Sequence, residues 1–173
     1  VSKAELANEP LIGWMTTMAG TVYVERGRGG SALRAKSGLD SAAGAGLPIV
    51  LFPEGTTSNG TSVLKFHGGA LGQAIEAGLQ VTAAFIHYRL TEDNGPGVSA
   101  QDDLAFWGDE VQLFPHIFRL LSLRGIEVAL RIADHPIAFG GPTLHRRQAA
   151  EEARAAVIRL GGVEDAVPTV DIA

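Results

Sequence analysis

Cysteine is absent from all 173 positions. Disulfide staples, thiolate zinc sites and cysteine nucleophiles are therefore excluded together. Missing too is any apolar run near the ~18 residues that a membrane helix needs, and the opening residues do not read as a secretory leader. Positive charge is scarce: 14 Lys and Arg face 19 Asp and Glu, for a net charge of −5. That balance argues against a nucleic-acid binder with a broadly basic surface. With 46% hydrophobic and 19% charged residues, the chain is too apolar to be a disordered segment. Glycine is what it has in excess, 22 residues in all, nearly twice a usual share of about 7%. Tight turns and close backbone approaches are expected. The length fits one domain, placed at residues 1–162 with a tail at 163–173.

Between residues 91 and 110 stand Glu92, Asp93, Asp102, Asp103, Asp109 and Glu110, with no cation among them. Such a run reads as a solvated acidic loop. Elsewhere the pattern is more regular. Asn8 and Pro10 suit a helix start, after which Leu11, Met15 and Met18 share a stripe flanked by Trp14, and Gly20 stops it. Core packing and a membrane-surface role both fit that stripe. Residues 21–26 read as a strand, 32–43 as a helix, and 48–52 (PIVLF) as a strand buried on both faces. Helical spacing returns at 69–77, 115–123 and 143–160, with strands at 81–88 and 126–132. The order implies an α/β fold, a single-domain mixed but largely parallel sheet flanked by helices.

Chemistry concentrates in residues 51–62, LFPEGTTSNGTS. After the apolar run the chain exposes a carboxylate, a glycine and two hydroxyls, and ligands of open α/β sheets collect beyond strand carboxyl ends. Gly55 would let backbone N–H groups approach an anionic or oxyanionic group, Thr56 could donate a further bond, and Glu54 could accept from a polyol. The same residues also fit an ordinary strand-to-helix turn.

PEGT after an apolar strand resembles the third block of the glycerolipid acyltransferase family, which includes bacterial 1-acylglycerol-3-phosphate acyltransferases of the PlsC type. Lys3-Ala4-Glu5-Leu6 resembles the family's K-x-E-L, and residues 10–14 its P-x-x-G-W. Residues 20–26 resemble the second block, a glycine-led strand ending in Glu25-Arg26, and residues 81–88 take the place of the fourth. The resemblance covers roughly residues 1–90, with four blocks in order. It implies a glycerol-3-phosphate acyltransferase-like fold. It also implies a substrate site in which Lys3 and Arg26 supply positive charge for an acceptor phosphate, and Glu54, Gly55, Thr56 and Thr57 line the acceptor. Without the resemblance, Arg26 reads as a surface ion pair with Glu25 or Asp40.

Two departures from the family pattern matter. Arginine usually follows E-G-T, and here that position is Thr57, so a bidentate cation beside the acceptor is lost. Members with FPEGTTS include acyltransferases of lyso-ornithine lipids. The second departure is the catalytic H-x4-D block, in which His takes the acceptor's proton and Asp orients it. His67, His87, His116, His135 and His145 are followed five positions on by Gly72, Glu92, Leu121, Gly140 and Ala150. None completes the block, and all five read as structural or surface histidines. The chain is expected to begin just after that block, and to be inactive by itself. A dinucleotide-binding reading of Gly27-x-Gly29-x-x-Ala32 with Glu54 fails because Glu25-Arg26 interrupt the strand and Pro53 precedes the acid.

What the resemblance implies is an O-acyltransferase that moves a fatty acyl group from acyl-CoA or acyl carrier protein to a lysolipid hydroxyl. The commoner acceptor is 1-acyl-sn-glycerol-3-phosphate, giving phosphatidic acid; a lyso-ornithine lipid is the alternative. A non-catalytic lipid-binding module of the same fold is the rival of another class. No metal or organic cofactor and no nucleic-acid partner is implied. The site of action would be the cytoplasmic face of the membrane, reached peripherally or through an anchor outside these residues.

Overall fold

A computed structural model describes residues 2–3, 12–18, 23–24, 40–41, 44–105, 113–140 and 145–163. By their contacts the residues form two compact units. The first comprises Val1–Pro53, His67–Val81 and Gly141–Ala150, the second Glu54–Phe66, Thr82–Gly140 and Glu151–Ala173. Helices and strands are mixed, as expected of an α/β chain.

In the first unit, β1 (Ser2–Lys3) pairs in parallel with β2 (Tyr23–Val24), in the register Ser2 to Tyr23 and Lys3 to Val24. Helix α1 spans Ile12–Met18; its expected start at Asn8 and Pro10 lies outside the described residues. Of the stripe, Met18 is 73% exposed and the flanking Trp14 65%, while Gly13 is buried; Leu11 and the Met15 side chain lie outside the description. The helix turns its glycine inward, a choice that side-chain periodicity cannot register. The expected helix at 32–43 lies largely outside the described residues, with Asp40, Ser41 and Gly44 helical. Residues 48–52 enter no ladder among the described residues; Ile49 and Leu51 are half-buried while Val50 and Phe52 are exposed. An apolar run favours an extended chain, but a ladder needs a partner strand that the run does not specify.

Helix α2 (Gly68–Glu76) buries Leu71, Gly72 and Ala74. Gly68 and Gly72 lie one turn apart and make a groove for Arg146. A Cβ on Gly68 would sit 2.5 Å from the Arg146 carbonyl oxygen, and one on Gly72 2.7 Å from Arg146 Cγ. Arg146 then reaches Glu76 with two nitrogens at 2.9 and 3.0 Å.

In the second unit, β3 (Ala84–Leu90) and β4 (Ile126–Ile132) pair antiparallel along their whole length, from Ala84–Ile132 to Leu90–Ile126. Among the described residues the parallel pairing expected of the sheet is seen between β1 and β2. The chain between β3 and β4 returns to the end it left: Thr91 N–H donates to Gly125 C=O at 2.7 Å, and Asn94 bonds both the N–H and the C=O of Arg124. A returning connection makes the strands antiparallel, whatever helix it contains. That connection holds helix α3 (Leu113–Ser122). The last helix, α4 (Arg146–Gly161), ends against the sheet, where a Cβ on Gly161 would meet the Phe85 ring at 2.6 Å. Among the described residues no helix is long and apolar enough to cross a membrane.

The acidic segment is not uniformly solvated. A single π-helical turn spans Gln101–Ala105 and buries Asp103, which is 7% exposed. Arg119 Nε donates to its Oδ1 at 2.5 Å and Ser99 N–H to its Oδ2 at 2.9 Å. Burial alone would raise this carboxyl, but the Arg119 hydrogen bond, the Ser99 N–H and the charges of Arg119 and His116 outweigh it and hold it below the ordinary 3.8. Composition counted six anions; it could not tell which one had an arginine sixteen residues on.

Candidate functional site

The loop Glu54–Phe66 belongs to the second unit. Its flanks are tied where His67 N–H donates to Pro53 C=O at 2.8 Å. Pro53 has no N–H to offer a ladder and ends the extended run. Gly55 then adopts φ +67°, the left-handed region where a Cβ is unfavourable, so glycine is required for the turn. Thr56 and Thr57 follow, both exposed.

A second turn completes the lip. Asn59 Oδ1 accepts from Thr61 N–H at 3.2 Å and from Thr61 Oγ1 at 2.8 Å, while Ser58 Oγ accepts from Gly60 N–H at 3.2 Å. This is the self-bonding that short polar side chains favour in turns. The chain then dives inward. Val63 is 3% and Phe66 7% exposed.

Glu54 is half-buried. Burial pushes its carboxyl above the ordinary 4.5, opposed by a hydrogen bond from the Leu64 backbone and by the charge of Arg154. Arg154, on α4, donates from Nε to Leu64 C=O at 2.9 Å and from Nη2 to Val63 C=O at 2.7 Å. Leu64 is therefore held at both its polar groups, N–H by Glu54 and C=O by Arg154. One internal N–H does not exhaust a carboxylate, whose two oxygens offer about four lone-pair sites. Chemically, the loop presents a rim of hydroxyls and amides over a braced base, an arrangement that can take a hydroxylated or zwitterionic head group by neutral hydrogen bonds.

Of the residues singled out in the sequence, Glu54, Gly55, Thr56 and Thr57 lie together on this loop. Lys3 sits in β1, its side chain outside the description, and Arg26 lies outside the described residues. Among the described residues, no group of three or more His, Asp or Glu is placed to hold a metal ion. Arg154 escaped the sequence reading. Its one signal is the run of small residues beside it, Ala149, Ala150 and Ala153, all buried.

A family model described as acyltransferase matches residues 1–87, a span that holds all the candidate residues except Arg154. The chain belongs to the acyltransferase family. It is 38% identical over 169 residues to a lyso-ornithine lipid O-acyltransferase of Pseudomonas aeruginosa, covering 98% of this chain and 61% of that protein. Against the lyso-ornithine lipid O-acyltransferase of Brucella abortus it is 31% identical over 140 residues, 78% of this chain and 52% of the relative. A 1-acyl-sn-glycerol-3-phosphate acyltransferase of Neisseria gonorrhoeae is 30% identical over 88 residues, 51% of the chain and 34% of the relative. The chain thus spans about three fifths or less of the length of these relatives. No solved structure matches it.

Proposed function

We propose that the protein carrying this chain transfers a fatty acyl group from acyl-CoA or acyl carrier protein to the free hydroxyl of a lyso-ornithine lipid. The acceptor oxygen attacks the thioester carbonyl, its proton passes to a base, and the thiol leaves. The base is not in this chain, which has no H-x4-D block; the acyl thioester is the only co-substrate the reaction calls for. The work takes place at the cytoplasmic face of the membrane, where lysolipids lie. The loop supplies the acceptor rim, with Thr56 and Thr57 outermost and Glu54 beneath.

Position 57 carries the choice of acceptor. A phosphate monoester is best met by fixed cations; the loop 54–66 carries one, the exposed Lys65, and none within the motif at 54–62. Thr57, Ser58, Asn59 and Thr61 offer neutral hydrogen bonds, which suit a zwitterionic head group. Two similar proteins named for lyso-ornithine lipid, which overlap 98% and 78% of this chain, favour the same reading. The second reading is 1-acyl-sn-glycerol-3-phosphate, favoured by the shorter Neisseria match, with Lys3 and Arg26 as the phosphate's cations.

The test is Thr57→Arg in the complete gene product, assayed with both acceptors side by side. The unaltered protein is expected to prefer the lyso-ornithine lipid. The variant is expected to shift the kcat/KM ratio toward the phosphate acceptor by about tenfold, near 1.4 kcal/mol. An unaltered protein that prefers the phosphate acceptor establishes the second reading, and turnover of neither acceptor leaves a lipid-binding module. An unshifted ratio removes position 57 from the head group.

A further inference from the structure

We propose that Arg154 is a positioning residue for the acceptor: by holding the Val63 and Leu64 carbonyls it sets the loop that carries Glu54, Gly55, Thr56 and Thr57. The inference rests on the reading that this loop receives the lysolipid, and it assigns a role to a residue beyond the span 1–87 that the family model matches.

Three observations carry it. The guanidinium uses two nitrogens on two consecutive carbonyls, at 2.9 and 2.7 Å. That is a fork geometry which arginine has and the single ammonium of lysine lacks. Next, Leu64 is the residue whose N–H bonds Glu54, so the Arg154 contact reaches the motif carboxylate through one peptide unit. Finally, the held carbonyls lie where the loop re-enters the core, beside Val63 at 3% exposure. Between Glu54 and Val63 the Ser58–Thr61 turn contacts tie the chain to itself, and the His67–Pro53 bond closes its flanks. Arg154 adds a hold on the loop from a distant helix. Arg154 fixes the far end directly and the near end through Leu64 and Glu54.

Removing the guanidinium strands two carbonyls in a part-buried place and frees Leu64 to move. Glu54 then loses the N–H that orients it, and the rim hydroxyls lose their common frame. Arg154 touches no reacting atom in this scheme. Its loss acts on the binding of the acceptor and leaves the acyl donor alone.

The experiment compares Arg154→Met and Arg154→Lys in the complete gene product by amide hydrogen exchange and by kinetics. Exchange in residues 54–66 is expected to quicken about tenfold in Arg154→Met and less in Arg154→Lys, with β3 and β4 unchanged. The acceptor KM is expected to rise about tenfold in Arg154→Met, while the donor KM stays put. Should Arg154→Met fail to fold, Arg154→Lys keeps the charge and the stem and carries the same comparison. Unchanged exchange in 54–66 overturns the proposal whatever the activity. Quickened exchange with an unmoved acceptor KM also overturns it, since the loop would be held by Arg154 yet not receive the acceptor. If the unaltered protein turns over neither acceptor, the proposed function fails on its own account. The exchange data then still decide whether Arg154 sets the loop.

Discussion

Arg119→Met isolates Asp103, the one buried carboxylate among the described residues of the acidic segment. In the folded chain Asp103 accepts from Arg119 at 2.5 Å and from Ser99 N–H at 2.9 Å, with 9% of its side-chain surface exposed against 50% for Arg119. Removing one member of a fully buried pair costs about 3–5 kcal/mol, and an exposed pair is worth about 0–1 kcal/mol. This pair lies between. A hydrogen bond to a charged group, worth roughly 1.5–3 kcal/mol, is the better measure, so a loss near 2 kcal/mol is expected. For a chain of this size that lowers the melting temperature by about 4–8 °C.

The pH dependence distinguishes lost charge from lost packing. Asp103 is held below 3.8, so its stabilisation is present above 3.8 and disappears as pH falls through the lowered value. Without Arg119 the burial that raises this carboxyl is less opposed, and the two proteins converge in stability as both Asp103 carboxyls take up a proton. Thermal melts of the two proteins from neutral pH down past 3.8 are the assay. A gap of the same size at every pH would refute the electrostatic reasoning and leave only the packing of the arginine stem.

Gly55→Ala is expected to cost about 1–2 kcal/mol, because φ +67° is left-handed, and an unchanged melting temperature would show that the turn relaxes freely. Gly68→Ala should destabilise more than Gly72→Ala. The first drives a Cβ to 2.5 Å from a backbone oxygen, the second to 2.7 Å from a side-chain carbon that can swing aside; equal losses in denaturant titration would mean that Arg146 is as immobile as its backbone. Glu54→Gln removes a carboxyl raised above 4.5 by burial while keeping an acceptor for the Leu64 N–H. A raised group stabilises below its unfolded value and loses that contribution as pH rises through its folded one. The variant should therefore melt no lower than the parent at neutral pH, and a lower melting temperature there would show the charge itself to be stabilising.

The local elements were legible because local physics makes them. Glycine and small apolar residues at helical spacing marked α2 within one residue of Gly68–Glu76, and alternation marked β4 at Ile126–Ile132. Block order along residues 1–90 was enough to suggest the family that residues 1–87 match. That PEGT forms a turn followed from chemistry too, since a proline, a glycine and short polar side chains leave the backbone few other choices.

What the sequence did not contain was who meets whom. The direction of β3 against β4 depends on where a 35-residue connection returns, and Thr91 meeting Gly125 decides it 34 residues away. Burial of Asp103 rather than Asp102 depends on Arg119, one turn of α3 and a π-helical turn being set side by side. The brace on the candidate loop joins Arg154 to Leu64 across 90 residues. Periodicity and turn chemistry act over a few residues, through hydrogen bonds and side-chain contacts that neighbours in the chain cannot avoid. A guanidinium on a distant helix has no such obligation, and only the folded chain brings Arg154 to the two carbonyls it holds.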